Sequence, residues 1–208
     1  MDYLETAELL KTRRSVRRYT DETVKEEDIE RMIEAFRWAP SAHNRQPWFL
    51  VASRNRKLNS RASEAIRREV AEIIERHPAL RGIGEKLVGY STFFDSAPLV
   101  FYVCGEPQRS GWRDELRKVE PDHPGAQRND SWLVSTAAAL QNLLLSVHAL
   151  GYGACWLGAP LVARKRLEQL LELPEGRRLL AVVPVGRPAE EPHAPLRRPE
   201  AETVRRIN

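Results

Sequence analysis

The segment Pro40-Ser41-Ala42-His43-Asn44-Arg45-Gln46-Pro47-Trp48 constrains this chain more than any other. It joins a helical pattern over 25–38 to a short apolar run, Trp48-Phe49-Leu50-Val51-Ala52. Each proline fixes its own φ and drives the residue before it out of the α region, so the crossing is stiff at both ends. Between the prolines lie small or hydrogen-bonding side chains, which let a ligand approach the backbone closely. A plain connector needs turn residues, but not this density of donors. Taken alone, the segment also fits an ordinary helix-to-strand turn with a tryptophan anchoring the core.

A second constraint lies upstream. Lys11, Arg13, Arg14, Arg17 and Arg18 put five cations within eight residues. Elsewhere the basic residues are interleaved with glutamates, as on solvated helices, although the net charge is +4 and the pI about 9.3. The cluster suits a small polyanion such as a phosphate, or else a solvated basic turn. No basic stripe interleaved with aromatics accompanies it, so no nucleic-acid partner is expected. No apolar run approaches the ~18 residues of a membrane span, so no membrane partner is expected either. Met1-Asp2-Tyr3-Leu4-Glu5 lacks the basic and apolar regions of a signal peptide, which makes a cytoplasmic location the expectation. Cys104 and Cys155 both sit in apolar runs and read as buried free thiols.

With 208 residues, 42% of them hydrophobic, the expectation is one domain spanning 1–208. Apolar spacing predicts helices over 3–12, with Asp2 and Glu5 as a capping box, and over 25–38 and 56–76. Strands are predicted over 48–53 and 98–104. The stretch 79–96, with three glycines among apolar residues, is ambiguous and reads as a wall of the site. The polar excursion 105–130 reads as a lid. A strongly apolar helix over 132–150 must be buried on most sides, either centrally or against a subunit partner. Strands over 153–157 and 179–186 flank a helix over 163–172. The tail 187–208 carries four prolines and should extend across a surface.

The motifs of phosphate-binding loops, dinucleotide folds, zinc proteases and serine hydrolases are absent, and no histidine pair has helix-face spacing for a metal. No acid–base pair or nucleophile stands out, so a bound cofactor is the economical source of chemistry. The two constraining segments together resemble the nitroreductase family of flavin mononucleotide (FMN) enzymes. There an Arg-x-Ser-x-(Lys/Arg) segment, here Arg13-Arg14-Ser15-Val16-Arg17, precedes a Pro-Ser-x-x-Asn-x-Gln-Pro-Trp segment, here residues 40–48.

The resemblance implies an α+β nitroreductase-like fold, with a central mixed β-sheet flanked by helices and a C-terminal arm exchanged in a homodimer. Arg13 and Ser15, with Arg14 beside them and Arg197 and Arg198 arriving from the tail, would hold the phosphate. Arg17 would stabilise negative charge near N1 and the C2 carbonyl of the reduced ring. Gly153-Ala154-Cys155-Trp156-Leu157-Gly158 would border the flavin, with the backbone N–H of Leu157 or Gly158 directed at N5. Pro40, Ser41, Ala42, Asn44 and Gln46 would complete the site at the subunit interface. His43 is either a substrate contact or a surface loop residue. The implied activity is ping-pong transfer from NADH or NADPH to a small-molecule electron acceptor such as a nitroaromatic or quinone. Residues 41–48 also resemble the nitroreductase-like domain joined to the F420 glutamyl ligase. The alternative is therefore a flavin-binding, F420-binding or dehalogenating member of the fold without general nitroreductase activity.

Overall fold

Helix α1 (Tyr3–Thr12) begins where its end groups are satisfied. The Asp2 carboxylate accepts from the Glu5 N–H at 2.8 Å, and the Glu5 carboxylate accepts from the Asp2 N–H at 3.0 Å. In this computed structural model the chain is described over residues 2–107, 111–126 and 130–207. Helix α2 (Glu26–Arg37) carries three acidic residues in its first turn, where the helix dipole favours them. Its Ile29, Met32 and Phe36 form the buried side. Strand β1 (Trp48–Ser53) follows the proline-bounded turn, and α3 (Arg56–Arg76) is capped by the Asn55 side chain, which accepts from the Leu58 N–H at 3.1 Å.

The ambiguous stretch 79–96 is largely a helix, α4 (Arg81–Thr92). Its glycines obscured the periodicity because one of them serves packing. A Cβ on Gly84 would lie 2.7 Å from Ile74 Cδ1, so the glycine lets α4 approach α3. Strand β2 (Leu99–Gly105) comes next. The excursion expected as a lid contains helix α5 (Gly111–Val119); Gln108–Ser110 and Gln127–Asn129 lie outside the described residues. The remaining elements are α6 (Ser131–Ala149), β3 (Gly153–Ala154), α7 (Arg164–Leu170), β4 (Arg178–Gly186) and a short helix α8 (Glu200–Thr203) within the otherwise extended tail.

The strands order β1-β2-β4-β3, and every neighbouring pair is antiparallel. The expected mixed sheet is thus antiparallel along its named strands. Its parallel component among the described residues is a single bridge, Ser15 to Ala154, after which the arginine-rich segment goes on to pair antiparallel with the chain beyond β4, through a Tyr19–Pro188 bridge. The strand expected over 153–157 is likewise shortened to two residues, with Leu157 rejoining β4 through a bridge to Val182.

Helices cover both faces. Every residue of β2 is buried, and alternation along the strand divides it between two cores. Leu99, Phe101 and Val103 pack with Met32, Phe36, Leu140 and Leu143 from α2 and α6. Val100, Tyr102 and Cys104 pack with Ala62, Ile66 and Leu167 from α3 and α7. Tyr102 brings a hydroxyl into the second core, where it donates to Asn59 Oδ1 at 3.0 Å and so meets its desolvation cost. Burial pushes the Cys104 thiol up to about 12, consistent with an inert core cysteine. A register shift between Val103 and Cys104 skips Leu180 of β4, which places Leu179 and Val182 on the same side.

One close approach fixes the N-terminal segment. A Cβ on Gly153 would stand 2.6 Å from Val16 Cγ2, and nothing lies within 4 Å of the corresponding position at Gly89 in α4. Gly153→Ala is expected to destabilise by ~1–3 kcal/mol through overpacking, whereas Gly89→Ala is expected to stabilise by ~0.5–1 kcal/mol. Urea unfolding midpoints of the two variants check both signs.

Candidate functional site

The arginine segment leaves α1 and runs along the short edge strand. The Val16 N–H donates to the Ala154 carbonyl at 2.9 Å, and the Val16 side chain is 3% exposed. Tyr19 anchors the far end, its hydroxyl donating to the Val16 carbonyl at 2.5 Å and facing the Pro184 carbonyl at 3.3 Å. Burial pushes that phenol well above its ordinary range. These anchors leave the cationic side chains to line a cavity of about 620 Å³. Arg13, Arg14, Ser15, Arg17 and Arg18 form one side, and Glu190, Glu191, His193 and Arg197 from the C-terminal stretch form the other.

The arginines are not equivalent. Arg14 lines the cavity but donates to the Lys11 carbonyl at 2.5 Å and to the Arg13 carbonyl at 2.9 Å, so its guanidinium caps the C-terminal end of α1. Arg18 is paired with Glu190 at 3.1 Å. Arg17 reaches the Ser15 carbonyl only at 3.5 Å. The side chains of Arg13 and Arg197 enter no hydrogen bond or ion pair among the described residues, which leaves two guanidinium groups for a ligand. Arg198 is exposed and is not among the residues lining the cavity. Ser15 lies beside the buried Cys155 thiol. Burial raises that thiol's pKa, and the neighbouring Arg17 and Ser15 partly offset the rise.

Glu190 is the residue that sequence reasoning missed. One of its oxygens accepts from the backbone N–H groups of Arg17 at 2.6 Å and Arg18 at 3.2 Å, and the other accepts from Arg18 Nε. Those bonds, led by the Arg17 N–H, hold its carboxyl below the usual carboxylate range. The available signal was the pair Glu190-Glu191 in a tail otherwise rich in proline and arginine.

The proline-bounded turn forms a different surface. His43, Asn44 and Gln46 adopt φ of 54°, 52° and 47°, three of the four positive-φ non-glycine residues described. Such conformations cost on the order of 1 kcal/mol each and persist only where neighbours impose them. Here Ser41 Oγ accepts from the Gln46 N–H at 3.0 Å, Ser135 Oγ accepts from the Ala42 N–H at 3.2 Å, and Gln46 Nε2 donates to Asn44 Oδ1 at 3.1 Å. Ser135, buried in α6, is a second residue that the sequence did not single out. Pro40 and His43 are exposed. Asn44 and Gln46 line a cavity of about 700 Å³ with Arg31, Glu34, Arg37 and Trp38 of α2 and its C-terminal end. This cavity shares no residue with the arginine cavity. Within one chain the two motifs therefore stand apart.

Of the two residues considered for an N–H to flavin N5, Leu157 is committed. Its N–H donates to the Val182 carbonyl at 2.9 Å, and its carbonyl accepts from the Val182 N–H at 3.0 Å. Gly158 has open space beside its Cα. Trp156 beside it is 45% exposed.

A profile of the nitroreductase family matches residues 10–187. The chain belongs to the nitroreductase family. A nitroreductase relative in Methanothermobacter thermautotrophicus, provisionally named NADH dehydrogenase/NAD(P)H nitroreductase, is 32% identical over 91% of this chain and 80% of its own length. Two others, each 26% identical over 89% of the chain, are an FMN reductase [NAD(P)H] of Bacillus subtilis and an iodotyrosine deiodinase of Nematostella vectensis; 67% and 68% of their lengths are covered. Among solved structures, a BluB-like flavoprotein from Clostridium difficile 630 superposes with a TM-score of 0.88 at 26% identity, over all of both chains. This confirms the α+β nitroreductase-like fold. No described helix is long and apolar enough to cross a membrane.

His148, on the last turn of α6, touches the start of the nitroreductase arginine segment. Thr12 Oγ1 donates to the Glu8 carbonyl at 2.7 Å, so it accepts from His148 Nε2 at 2.9 Å, and the ring carries its proton there. Burial, then Arg13 and Arg14, hold the imidazole pKa below its usual range. The unfolded chain therefore binds this proton at higher pH than the folded one, and stability falls as pH drops from about 7 to about 5. His148→Gln is expected to flatten that fall. Thermal midpoints measured across the window check it, and identical pH profiles for variant and wild type would count against it.

Proposed function

We propose that the chain is an FMN-dependent oxidoreductase that uses NADH or NADPH to reduce a small-molecule acceptor. The observation that carries this reading is the arginine cavity, where cations from both ends of the chain, Arg13 and Arg197, meet without counterions of their own beside the Ser15 hydroxyl. That donor set fits a dianionic phosphate. Charge-assisted bonds to arginine contribute roughly 1.5–3 kcal/mol each, enough for two of them to anchor a phosphorylated cofactor. Bound FMN supplies a two-electron carrier with a hydride-accepting N5.

Arg13, Ser15 and Arg197 hold the phosphate in this reading, with Arg14 lining the same cavity and Arg198 left outside it. Arg17 supplies positive charge for the N1–C2 carbonyl edge, and the Gly158 N–H serves N5, with Cys155 and Trp156 bordering the ring. Because the turn holding Pro40, Ser41, Ala42, Asn44 and Gln46 lines a separate cavity, a second copy must bring that turn to the flavin. A homodimer with exchanged C-terminal arms does so. His43, exposed on the turn, is then on the substrate side. Nicotinamide and acceptor occupy the same pocket in turn, and nitroaromatics or quinones are the acceptors proposed. The iodotyrosine deiodinase among the relatives favours a second reading, reductive dehalogenation at the same site. A cytoplasmic location is proposed with it, since both cysteines are free thiols.

Titration of apoprotein with FMN and with riboflavin, followed by flavin fluorescence, tests the reading. FMN is expected to bind far more tightly than riboflavin, and Arg13→Ala to weaken FMN about 10- to 100-fold while leaving riboflavin little changed. Equal affinity for both flavins would show that the arginine cavity does not hold the phosphate. Anaerobic addition of NADH or NADPH should then bleach the bound flavin, and a halogenated phenol set against a nitroaromatic as reoxidant separates the two acceptor classes.

A further inference from the structure

A carboxylate on the wall of an anion pocket should repel the anion, yet the Glu190 side chain makes more hydrogen bonds than any arginine side chain of the cavity. It accepts two consecutive backbone N–H groups, from Arg17 and Arg18, and the Arg18 side chain. The same crossing is held by the Ala189 N–H donating to the Arg18 carbonyl at 2.9 Å, the Thr20 N–H donating to the Arg187 carbonyl at 2.9 Å, and a Tyr19–Pro188 bridge. Beyond Glu190 nothing further ties the tail to this segment: Glu191 lines the cavity and makes no hydrogen bond or ion pair among the described residues. Glu190 is thus the last point at which the outgoing C-terminal stretch is fastened to the N-terminal one, just before Arg197 must return to the same cavity.

We infer that Glu190 is a positioning residue for the anion site: it fastens the Arg17–Arg18 backbone and the root of the C-terminal arm, so that guanidinium groups from both ends face one ligand. Two physical effects then oppose each other at this residue. Its charge repels a phosphate, which lies in an arginine-lined cavity where the repulsion is partly offset by the Arg18 pair. Its three bonds hold the segment, and a donor set held in place binds more tightly than one ordered on binding. The bonds prevail, because water can replace each bond singly but cannot tie the Arg17–Arg18 backbone to the C-terminal stretch as one carboxylate does. The inference rests on the proposed phosphate role of the cavity and assigns the tail a task beyond supplying Arg197.

The two effects predict opposite signs, which makes the test decisive. FMN and, separately, inorganic phosphate are titrated into wild-type apoprotein and into Glu190→Ala, Glu190→Gln and Glu191→Gln, while hydrogen exchange of the Arg17 and Arg18 amides is followed. Glu190→Ala is expected to raise the FMN dissociation constant at least about tenfold, with Glu190→Gln intermediate because an amide oxygen still accepts. Glu191→Gln, which removes charge alone, should leave affinity unchanged or increase it. Both amides should lose protection in Glu190→Ala, a readout that needs no bound flavin and that a globally unfolded variant would betray by losing protection everywhere. Affinity equal to or above wild type in Glu190→Ala, or unaltered amide protection, overturns the inference. Phosphate binding without FMN binding in the wild type would overturn the flavin reading and leave Glu190 to be judged on phosphate; binding of neither would overturn both.

Discussion

A six-residue segment carrying four arginines can lie against a folded chain only where its backbone is paired and some side chain within it is buried. The bond from the Val16 N–H to the Ala154 carbonyl, made over a glycine, meets that requirement. With Val16 buried and Tyr19 anchored between the Val16 and Pro184 carbonyls, the cations have only the outer side left. The candidate site follows from this attachment. So does the single parallel bridge found among the described residues of an otherwise antiparallel sheet.

The sheet serves as the frame. Because β2 is buried on both faces, it aligns two cores at once: α2 and α6 on one side, α3 and α7 on the other. Its neighbour β4 carries the pairing with β3 at one end and with Leu157 further along, and so sets where the 153–158 segment can turn. The same pairing commits the Leu157 N–H to the Val182 carbonyl. A backbone group's availability is thus decided by a residue 25 positions away, through ordinary ladder bonding.

The strained turn at 41–46 raises a different question, since its polar side chains largely satisfy one another. Ser41, Asn44 and Gln46 are engaged in holding three residues at positive φ. That organisation makes the turn a rigid exposed surface before any ligand arrives. Within one chain the turn lines a cavity that shares no residue with the arginine cavity.

Much of this was legible in the residues. Helices α1, α2, α3 and α6 follow from apolar spacing and capping residues, and the two motifs specified the family, because local chemistry sets helix ends and turn stiffness. Helix α4 was hidden because Gly84 answers to a neighbour, Ile74, rather than to helix propensity. Tertiary structure alone decided that Glu190 binds the backbone of Arg17 and Arg18, that Ser135 supports Ala42, and that Leu157 is already paired. Each joins residues about 25 to 173 positions apart, and no sequence period or local propensity records which distant backbone group a side chain will meet.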